Sequence, residues 1–289
     1  MAIFNKSCAF KAFKPACLVF LSGLFSAQLQ AAPIVFSDVS SNANFGDTIS
    51  AFQAALGDPN NGNAPGPFSE GRRQINWDAG IVPFDMPADF FNNPAFPPTR
   101  GAVFSNSNDN EFRVSNDGID NEFDTFNADN PDQFETFSAP RLFTPVGTNS
   151  FDVNFFIPAD STPATVSGFG AIFSDVDIFG STVVDLFDIN DNLLSSHTVE
   201  TNSEGLSFLG VFFDDLIAPI FRVNITAGNT DIGLGLADDT AAGIDLVVLD
   251  DLFYSEPQAA VVSAPTTIAL LSASLLLLIS RRKTKSNAF

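Results

Sequence analysis

The 289-residue chain carries 34 acidic residues, all between Asp38 and Glu256, a stretch that contains only six arginines and no lysine. Its formal charge of −28 excludes nucleic acid and anionic lipid surfaces as partners, because both would be repelled. The two cysteines, Cys8 and Cys17, lie close to the N-terminus. The rest of the chain therefore has no thiol for a disulfide, a nucleophile or a thiolate metal site.

The first 31 residues have the features of a secretory signal peptide. Three lysines precede a short apolar run, Ala16 to Phe25, and small residues follow near Ala31. Such a run is too short for a stable membrane span. We therefore predict that residues 1–31 are a signal peptide and that the secretion machinery exports the chain.

One short helix is predicted near the start of the mature chain. Asp47 can cap it, Ile49, Phe52 and Leu56 share one face, and Gly57 can end it. The prediction is a short N-terminal helix ahead of the strands.

Strand patterns dominate the second half of the chain. Apolar and polar residues alternate over 151–157 and 221–226. The runs 182–189 and 193–199 flank Asn190-Asp191-Asn192, which is typical of a hairpin.

These strand patterns recur every 10 to 20 residues without amphipathic helices between them. A parallel α/β fold fits this pattern poorly because its crossovers need helices. Glycines at 168 and 170 indicate a place where another element packs closely on a strand. We predict an all-β fold for residues 33–257, an antiparallel β-sandwich of jelly-roll-like form.

Catalytic candidates in this domain are few. It has one histidine, His197, and lacks lysine, a Gly-x-Ser-x-Gly elbow and a His-Glu-x-x-His pair. Paired-carboxylate chemistry, as in glycoside hydrolysis, remains. With 34 carboxylates, however, pairs are certain to occur by chance, so their presence does not distinguish a glycoside hydrolase from a protein without activity.

Two function classes stay open. The first is a non-catalytic protein of the cell envelope or extracellular matrix that binds extracellular polysaccharide, with Trp77 or Tyr254 as sugar platforms. The second is a carboxylate-only glycoside hydrolase. It would show a cleft with two acidic groups about 5 to 10 Å apart.

A structural calcium ion is predicted beside the last strand. Asp250 and Asp251 are consecutive in the apolar run Val247 to Leu252, and adjacent strand residues face opposite ways. Val247, Leu249, Asp251 and Phe253 would share one face, so Asp251 should point inward among apolar groups, where an unpaired charge is costly. Calcium binds carboxylate and carbonyl oxygens.

Asp175 and Asp177 share a strand face and are the expected companions of that pair. The predicted calcium site therefore consists of Asp175, Asp177, Asp250 and Asp251. Capping of a turn by Asp250 or Asp251, or acceptance of backbone N–H groups, is the alternative. The segment from Asn116 to Asp124 is a rival site.

The C-terminus has three parts in a fixed order: Ser263-Ala264-Pro265, an apolar run from Thr266 to Ser280, and a basic end with Arg281, Arg282 and Lys283. As a helix, the 15-residue run would be about 22 Å long, against a bilayer core of about 30 Å. The basic end should stay cytoplasmic. Because the run is shorter than the bilayer core, it would hold the protein in a membrane only temporarily.

This segment, residues 263–285, resembles the PEP-CTERM sorting signals of Gram-negative bacteria. Those signals carry Pro-Glu-Pro, where this chain has Ser263-Ala264-Pro265. The resemblance implies processing by an exosortase-type membrane protease. The protein would be held transiently in the inner membrane by its C-terminus and would then reach the cell surface or the exterior. An ordinary C-terminal membrane anchor is the alternative.

The body of the chain shows a second resemblance. The segments Gly71–Asp78, Arg141–Gly147, Ser167–Ala171 and Gly205–Val211 are similar to segments of uncharacterised exported bacterial β-sandwich proteins. That resemblance supports the sandwich and implies no known activity.

Overall fold

The part of the chain described by the computed structural model comprises residues 32–96, 99–116, 121–214 and 219–260. The predicted signal peptide and the predicted sorting residues Ser263, Ala264, Pro265, Arg281, Arg282 and Lys283 lie outside it. No helix within the described ranges is both long and apolar enough to cross a membrane. Export and sorting therefore stay predictions.

Within the described ranges the chain forms two helices and fourteen strands. The helices are α1 (Thr48–Leu56) and α2 (Asn130–Gln133). The strands are β1 (Ile34–Ser40), β2 (Arg72–Ile75), β3 (Ala102–Asn106), β4 (Phe112–Val114), β5 (Phe143–Pro145), β6 (Ser150–Phe155), β7 (Ala164–Thr165), β8 (Gly168–Val176), β9 (Val183–Phe187), β10 (Leu193–Thr198), β11 (Asn202–Phe212), β12 (Arg222–Thr226), β13 (Val248–Ser255) and β14 (Gln258–Ala259).

The strands form two main antiparallel sheets. One has the order β1-β11-β8-β13-β5-β4, with β2 paired to β13, and the other has the order β10-β9-β12-β6-β3. Eight of these strands have the order of a jelly roll: β5-β13-β8-β11 in the first sheet and β6-β12-β9-β10 in the second. In these eight strands the chain alternates between the two sheets except at the β9–β10 hairpin, as in a jelly roll. The predicted sandwich and its jelly-roll form are confirmed, as is the β9–β10 hairpin.

The space between the two sheets holds an aromatic core. Phe151, Val153 and Phe155 point inward from β6 and are buried, and inward residues of β8 and β13 face them. Trp77 stacks on Phe143 with ring centroids 4.1 Å apart. Each buried Phe contributes roughly 1.5 to 3 kcal/mol, so this core can stabilise a domain without thiols.

Helix α1 covers the outer face of the seven-stranded sheet. Its residues Ile49, Phe52 and Leu56 are buried, as predicted, although Asp47 makes no side-chain capping bond. A Cβ on Gly170 would lie 2.6 Å from the Phe52 ring. The predicted close approach at Gly170 is thus confirmed, and the packing element is α1.

The two sheets differ in how they are covered. Besides α1, a second apolar cluster that includes Phe123, Phe134 and Val248 packs on the outer side of β13. Helix α2 also contacts β11 of the same sheet. The outward side chains of the five-stranded sheet, in contrast, stay partly exposed. That sheet therefore presents a face to solvent.

Candidate functional site

The predicted calcium ligands Asp250 and Asp251 lie at a β-bulge in β13. Leu249 pairs with Phe173 of β8, and Leu252 pairs with Ala171, so two residues on β13 oppose one on β8. A bulge breaks the alternation of faces.

The bulge overturns the predicted arrangement of side chains on β13. Leu249 lies in the core between the sheets, whereas Phe253 packs on the α1 side. Asp251 therefore does not share an inward face with both of them. Both aspartates are fully buried.

Polar partners surround this pair. The backbone N–H groups of Phe137 and Ser138 donate to Asp250 Oδ2 at 2.7 and 3.2 Å. Ser138 Oγ lies 3.1 Å from Asp250 Oδ1 and 2.6 Å from Asp251 Oδ1, so the two carboxyl groups share its one hydroxyl proton. Gln74 donates to Asp251 Oδ2. The alternative expectation, carboxylates that accept backbone N–H groups, holds for Asp250.

Burial raises the pKa of both carboxyl groups, and the neighbouring Asp251 adds to the rise for Asp250. The pair holds the chain at Ser138 against β13. Its oxygens already have partners within the protein.

Asp175 and Asp177 lie at the end of β8 with different neighbours. Asp175 interacts electrostatically with Asp177, Asp238 and Asp245. The carboxyl group of Asp238 is in hydrogen-bond contact with that of Asp177. We call Asp175, Asp177, Asp238 and Asp245 the strand-end acidic cluster.

Only some of the carboxylate oxygens in this cluster accept a hydrogen bond within the protein. Asp245 accepts the backbone N–H groups of Asp177 and Ile178 at 3.2 and 3.1 Å. Asp175 Oδ1 accepts the N–H of Glu204 at 2.8 Å, and Asp177 Oδ2 accepts the Thr240 hydroxyl at 3.0 Å. Asp175 Oδ2 and Asp177 Oδ1 are buried without a partner.

The electrostatics of the cluster follow from burial and mutual repulsion. Burial, together with repulsion from the other three carboxylates, raises the pKa of Asp175 to about 8. Burial also raises the pKa of Asp238 to about 6, helped by Asp177 and Asp245. Within the described ranges, no three acidic, histidine or cysteine side chains are already arranged as a metal site.

The two aromatic residues proposed as sugar platforms are core residues. Trp77 and Tyr254 are both fully buried. The Trp77 indole N–H donates to the carbonyl of Asp250 at 2.8 Å, and the Tyr254 hydroxyl donates to the carbonyl of Arg100 at 3.0 Å. Neither ring can stack on a sugar, so that expectation is wrong.

A row of polar residues crosses the outer face of the five-stranded sheet. Ser105 lies opposite Asp152, Asp152 opposite Asn224, Asn224 opposite Asp185, and Asp185 opposite Ser196. Directly paired residues point to the same side of an antiparallel sheet. At about 4.8 Å per strand, the row extends for roughly 19 Å.

An adjacent row on this face includes an aromatic ring. Arg222 pairs with Asn154 on one side and with Phe187 on the other, and its guanidinium carbon lies 3.9 Å from the centre of the Phe187 ring. Arg222 also forms ion pairs with Asp152, at 2.8 Å, and with Asp191. We call the two rows together the open face.

Two surface cavities bear on the function of the described part of the chain. One of about 230 Å³ lies on the open face and is lined by Ser105, Asn106, Ser107, Ser150, Phe151, Asp152 and Asn224. The other, of about 460 Å³, is lined by residues that include Asp89, Asn92 and Asp160. The second cavity is therefore lined by two acidic residues, Asp89 and Asp160.

His197, the single histidine, lies on the edge strand β10 and is partly buried. Burial lowers its pKa, partly offset by Asp185. Its Nε2 atom is buried without a hydrogen-bond partner.

Sequence reasoning missed Asp238, Asp245 and the open face. The polar positions of β6 and β12 are visible in the alternation at 151–157 and 221–226, so the open face was detectable in principle. The two aspartates come from a loop about 65 residues from Asp175, and no local pattern marks them.

Comparison with known proteins adds little. No protein-family model matches the chain, and no curated protein does. Among solved structures, a mutant of a family 29 carbohydrate-binding module matches with 11% identity and a TM-score of 0.23, over 67% of this chain and 98% of that one. Similarity at this level supports no conclusion about fold or ligand.

Proposed function

We propose that this chain is an exported, surface-sorted, non-catalytic protein that binds carbohydrate on the open face. The observation that carries the proposal is the polar row across all five strands. Asp accepts hydrogen bonds, Ser and Asn both donate and accept, and sugar hydroxyls can do either. A row of roughly 19 Å suits a polymer better than a single sugar.

The charge of the open face decides between a neutral and an anionic polysaccharide as the proposed ligand. Arg222 is neutralised by Asp152 and Asp191, and Asp185 adds a further negative charge. An anionic polysaccharide would be repelled. The ligand we propose is a neutral extracellular polysaccharide.

The test is a binding screen of the purified full chain against neutral and anionic polysaccharides, by affinity electrophoresis and calorimetry. Asn224 lies on the central strand of the row, so Asn224→Ala should weaken binding about tenfold, the equivalent of one hydrogen bond. The control is Asn121→Ala, an exposed residue close to the Phe123 cluster on the other side of the sandwich. No bound polysaccharide, or equal binding by Asn224→Ala, would contradict the proposal.

Delivery is the second part of the proposal, and the sequence pattern alone supports it. Secretion machinery would export the chain and an exosortase-type protease would process it. The surface-bound form should begin near Ala32 or Pro33 and should lack the segment after about Pro265. Intact-mass measurement of that form decides this. A mass that retains residues 266–289 would indicate a simple membrane anchor.

The alternative, a carboxylate-only glycoside hydrolase, would use the 460 Å³ cavity with Asp89 and Asp160. A glycosidase needs one carboxylic acid of raised pKa to protonate the leaving group. Hydrogen bonds from Thr162 instead lower the pKa of Asp160. Release of reducing sugar by the purified protein would favour this alternative.

A further inference from the structure

The strand-end acidic cluster gathers four carboxylates from distant parts of the chain. Asp175 ends β8, Asp177 follows it, and Asp238 and Asp245 lie in the loop before β13. The two ends meet because Ser174 of β8 pairs with Val248 of β13. The loop is fastened by the bonds from Asp177 and Ile178 to Asp245, so the cluster is part of the fold.

This cluster has no cationic partner among the described ion pairs. The arginines that form ion pairs reach only carboxylates elsewhere: Asp58, Asp85, Glu111, Asp152, Asp191 and Glu256. The stretch that contains the cluster has no lysine. The described ion pairs therefore neutralise none of the four acidic side chains.

The decisive observation is the orphaned oxygen of Asp175. The residue is fully buried, its Oδ1 atom is held by Glu204 N–H, and its Oδ2 atom has no partner. Asp177 is only half-buried, but its Oδ1 atom also lacks a hydrogen-bond donor. Nearby backbone donors are already used, since the N–H groups of Asp177 and Ile178 are bound to Asp245. A buried carboxylate oxygen without a partner is costly.

We propose that the strand-end acidic cluster binds one Ca²⁺ ion, with Asp175 and Asp177 as carboxylate ligands and Asp238 as a third. Calcium accepts six to eight oxygen ligands in flexible geometry, with carbonyl groups and water completing the set. The described carboxylates do not yet form a complete ligand set. The ion draws them together and supplies the missing counter-charge. Mg²⁺, which demands near-ideal octahedral geometry, binds more weakly.

The proposed calcium site differs from the site predicted from the sequence. Asp175 and Asp177 remain ligands, whereas Asp250 and Asp251 are replaced by the loop carboxylate of Asp238. Asp245 instead accepts backbone N–H groups that hold the loop. The bonds to Ser138 and Gln74 satisfy the β13 pair without an ion.

The experiment measures Ca²⁺ binding by isothermal calorimetry on the full chain, purified in detergent and freed of metal with a chelator. We expect one site per chain, weaker binding of Mg²⁺, and a melting temperature that rises with CaCl₂ at constant ionic strength. Asp175→Asn keeps the acceptor for Glu204 N–H and removes the charge. It should lower the affinity at least tenfold and abolish the calcium-dependent rise in melting temperature.

The matched control is Asp160→Asn. Asp160 follows β6, whose last residue Phe155 contacts Tyr254, so it lies at the opposite end of the sandwich from the cluster. This variant should bind Ca²⁺ as the parent does. Asp238→Asn, a second variant in the cluster, should also weaken binding. Absence of binding by the parent chain, or equal affinity in Asp175→Asn and Asp160→Asn, would overturn the proposal.

Discussion

Arg73 and Glu256 form an ion pair whose partners are both buried. Arg73 Nε and Nη2 donate to the two carboxylate oxygens at 2.7 Å each, and the side chains are 0% and 1% exposed. Arg73 Nη1 also donates to the carbonyl oxygens of Gly62, Ala64 and Thr99. The guanidinium thus fastens β2, the loop before it and the chain after β13 to one another.

Removing one charge of this pair should be far more costly than removing one from a surface pair. Glu256→Gln leaves the buried Arg73 charge uncompensated, and we expect the free energy of unfolding to fall by about 3–5 kcal/mol. Asp85→Asn breaks the Arg113–Asp85 pair, which is also 2.7 Å long but has a carboxylate that is 75% exposed. That change should cost about 0–1 kcal/mol. Urea denaturation of both variants checks this, and equal losses would contradict it.

At the scale of elements, α1 packs on a glycine surface formed by β8 and β11. Cβ atoms on Gly168, Gly170 and Gly210 would lie 2.6 to 2.8 Å from side-chain atoms of Leu56 or Phe52. Phe52 also packs edge-on against Phe208, with centroids 5.5 Å apart. The absence of side chains on these strands lets the helix reach the sheet.

Gly170→Ala should therefore loosen this helix. The added methyl group meets the Phe52 ring, and overpacking of this kind costs about 1–3 kcal/mol. Phe52→Leu in the same chain should restore part of the loss, because the smaller side chain leaves room. Gly233→Ala, where a Cβ would meet nothing within 4 Å, is the control and should change stability by at most about 0.5 kcal/mol. Thermal unfolding of the three variants measures this, and equal effects of both Ala substitutions would contradict it.

These elements also show what the sequence can predict. The alternation in β6 and β12 and the apolar face of α1 are local patterns, and the structure confirms them. The bulge in β13 is not local, because only pairing with β8 defines it. The sequence therefore located the acidic pair on β13 but assigned the wrong orientation to its side chains.

The strands missed by the prediction include β1 and β3, for a related reason. The edge strand β1 pairs only with β11, and β3 pairs only with β6, so each is defined by a partner far along the chain. The acidic cluster is equally non-local. Asp175 and Asp177 were predictable from the pattern of one strand. Asp238 and Asp245 could be assigned to the cluster only from the three-dimensional position of the loop before β13.

The whole molecule carries an uncompensated negative charge. Between Asp38 and Glu256 the formal charge is −28, and the ion pairs in the described part of the chain involve only four arginines: Arg72, Arg73, Arg113 and Arg222. Charge of one sign destabilises a compact state through self-repulsion. Salt shortens the range of that repulsion from about 30 Å at 0.01 M to about 10 Å at 0.1 M.

The melting temperature should therefore rise when NaCl is increased from 10 to 500 mM, with a chelator present so that divalent ions make no contribution. Choline chloride at the same ionic strength is the control, because screening does not depend on the identity of the cation. Both salts should raise the melting temperature by similar amounts. An increase with NaCl alone would indicate specific binding of sodium, and no increase with either salt would mean that self-repulsion does not limit the stability of this domain.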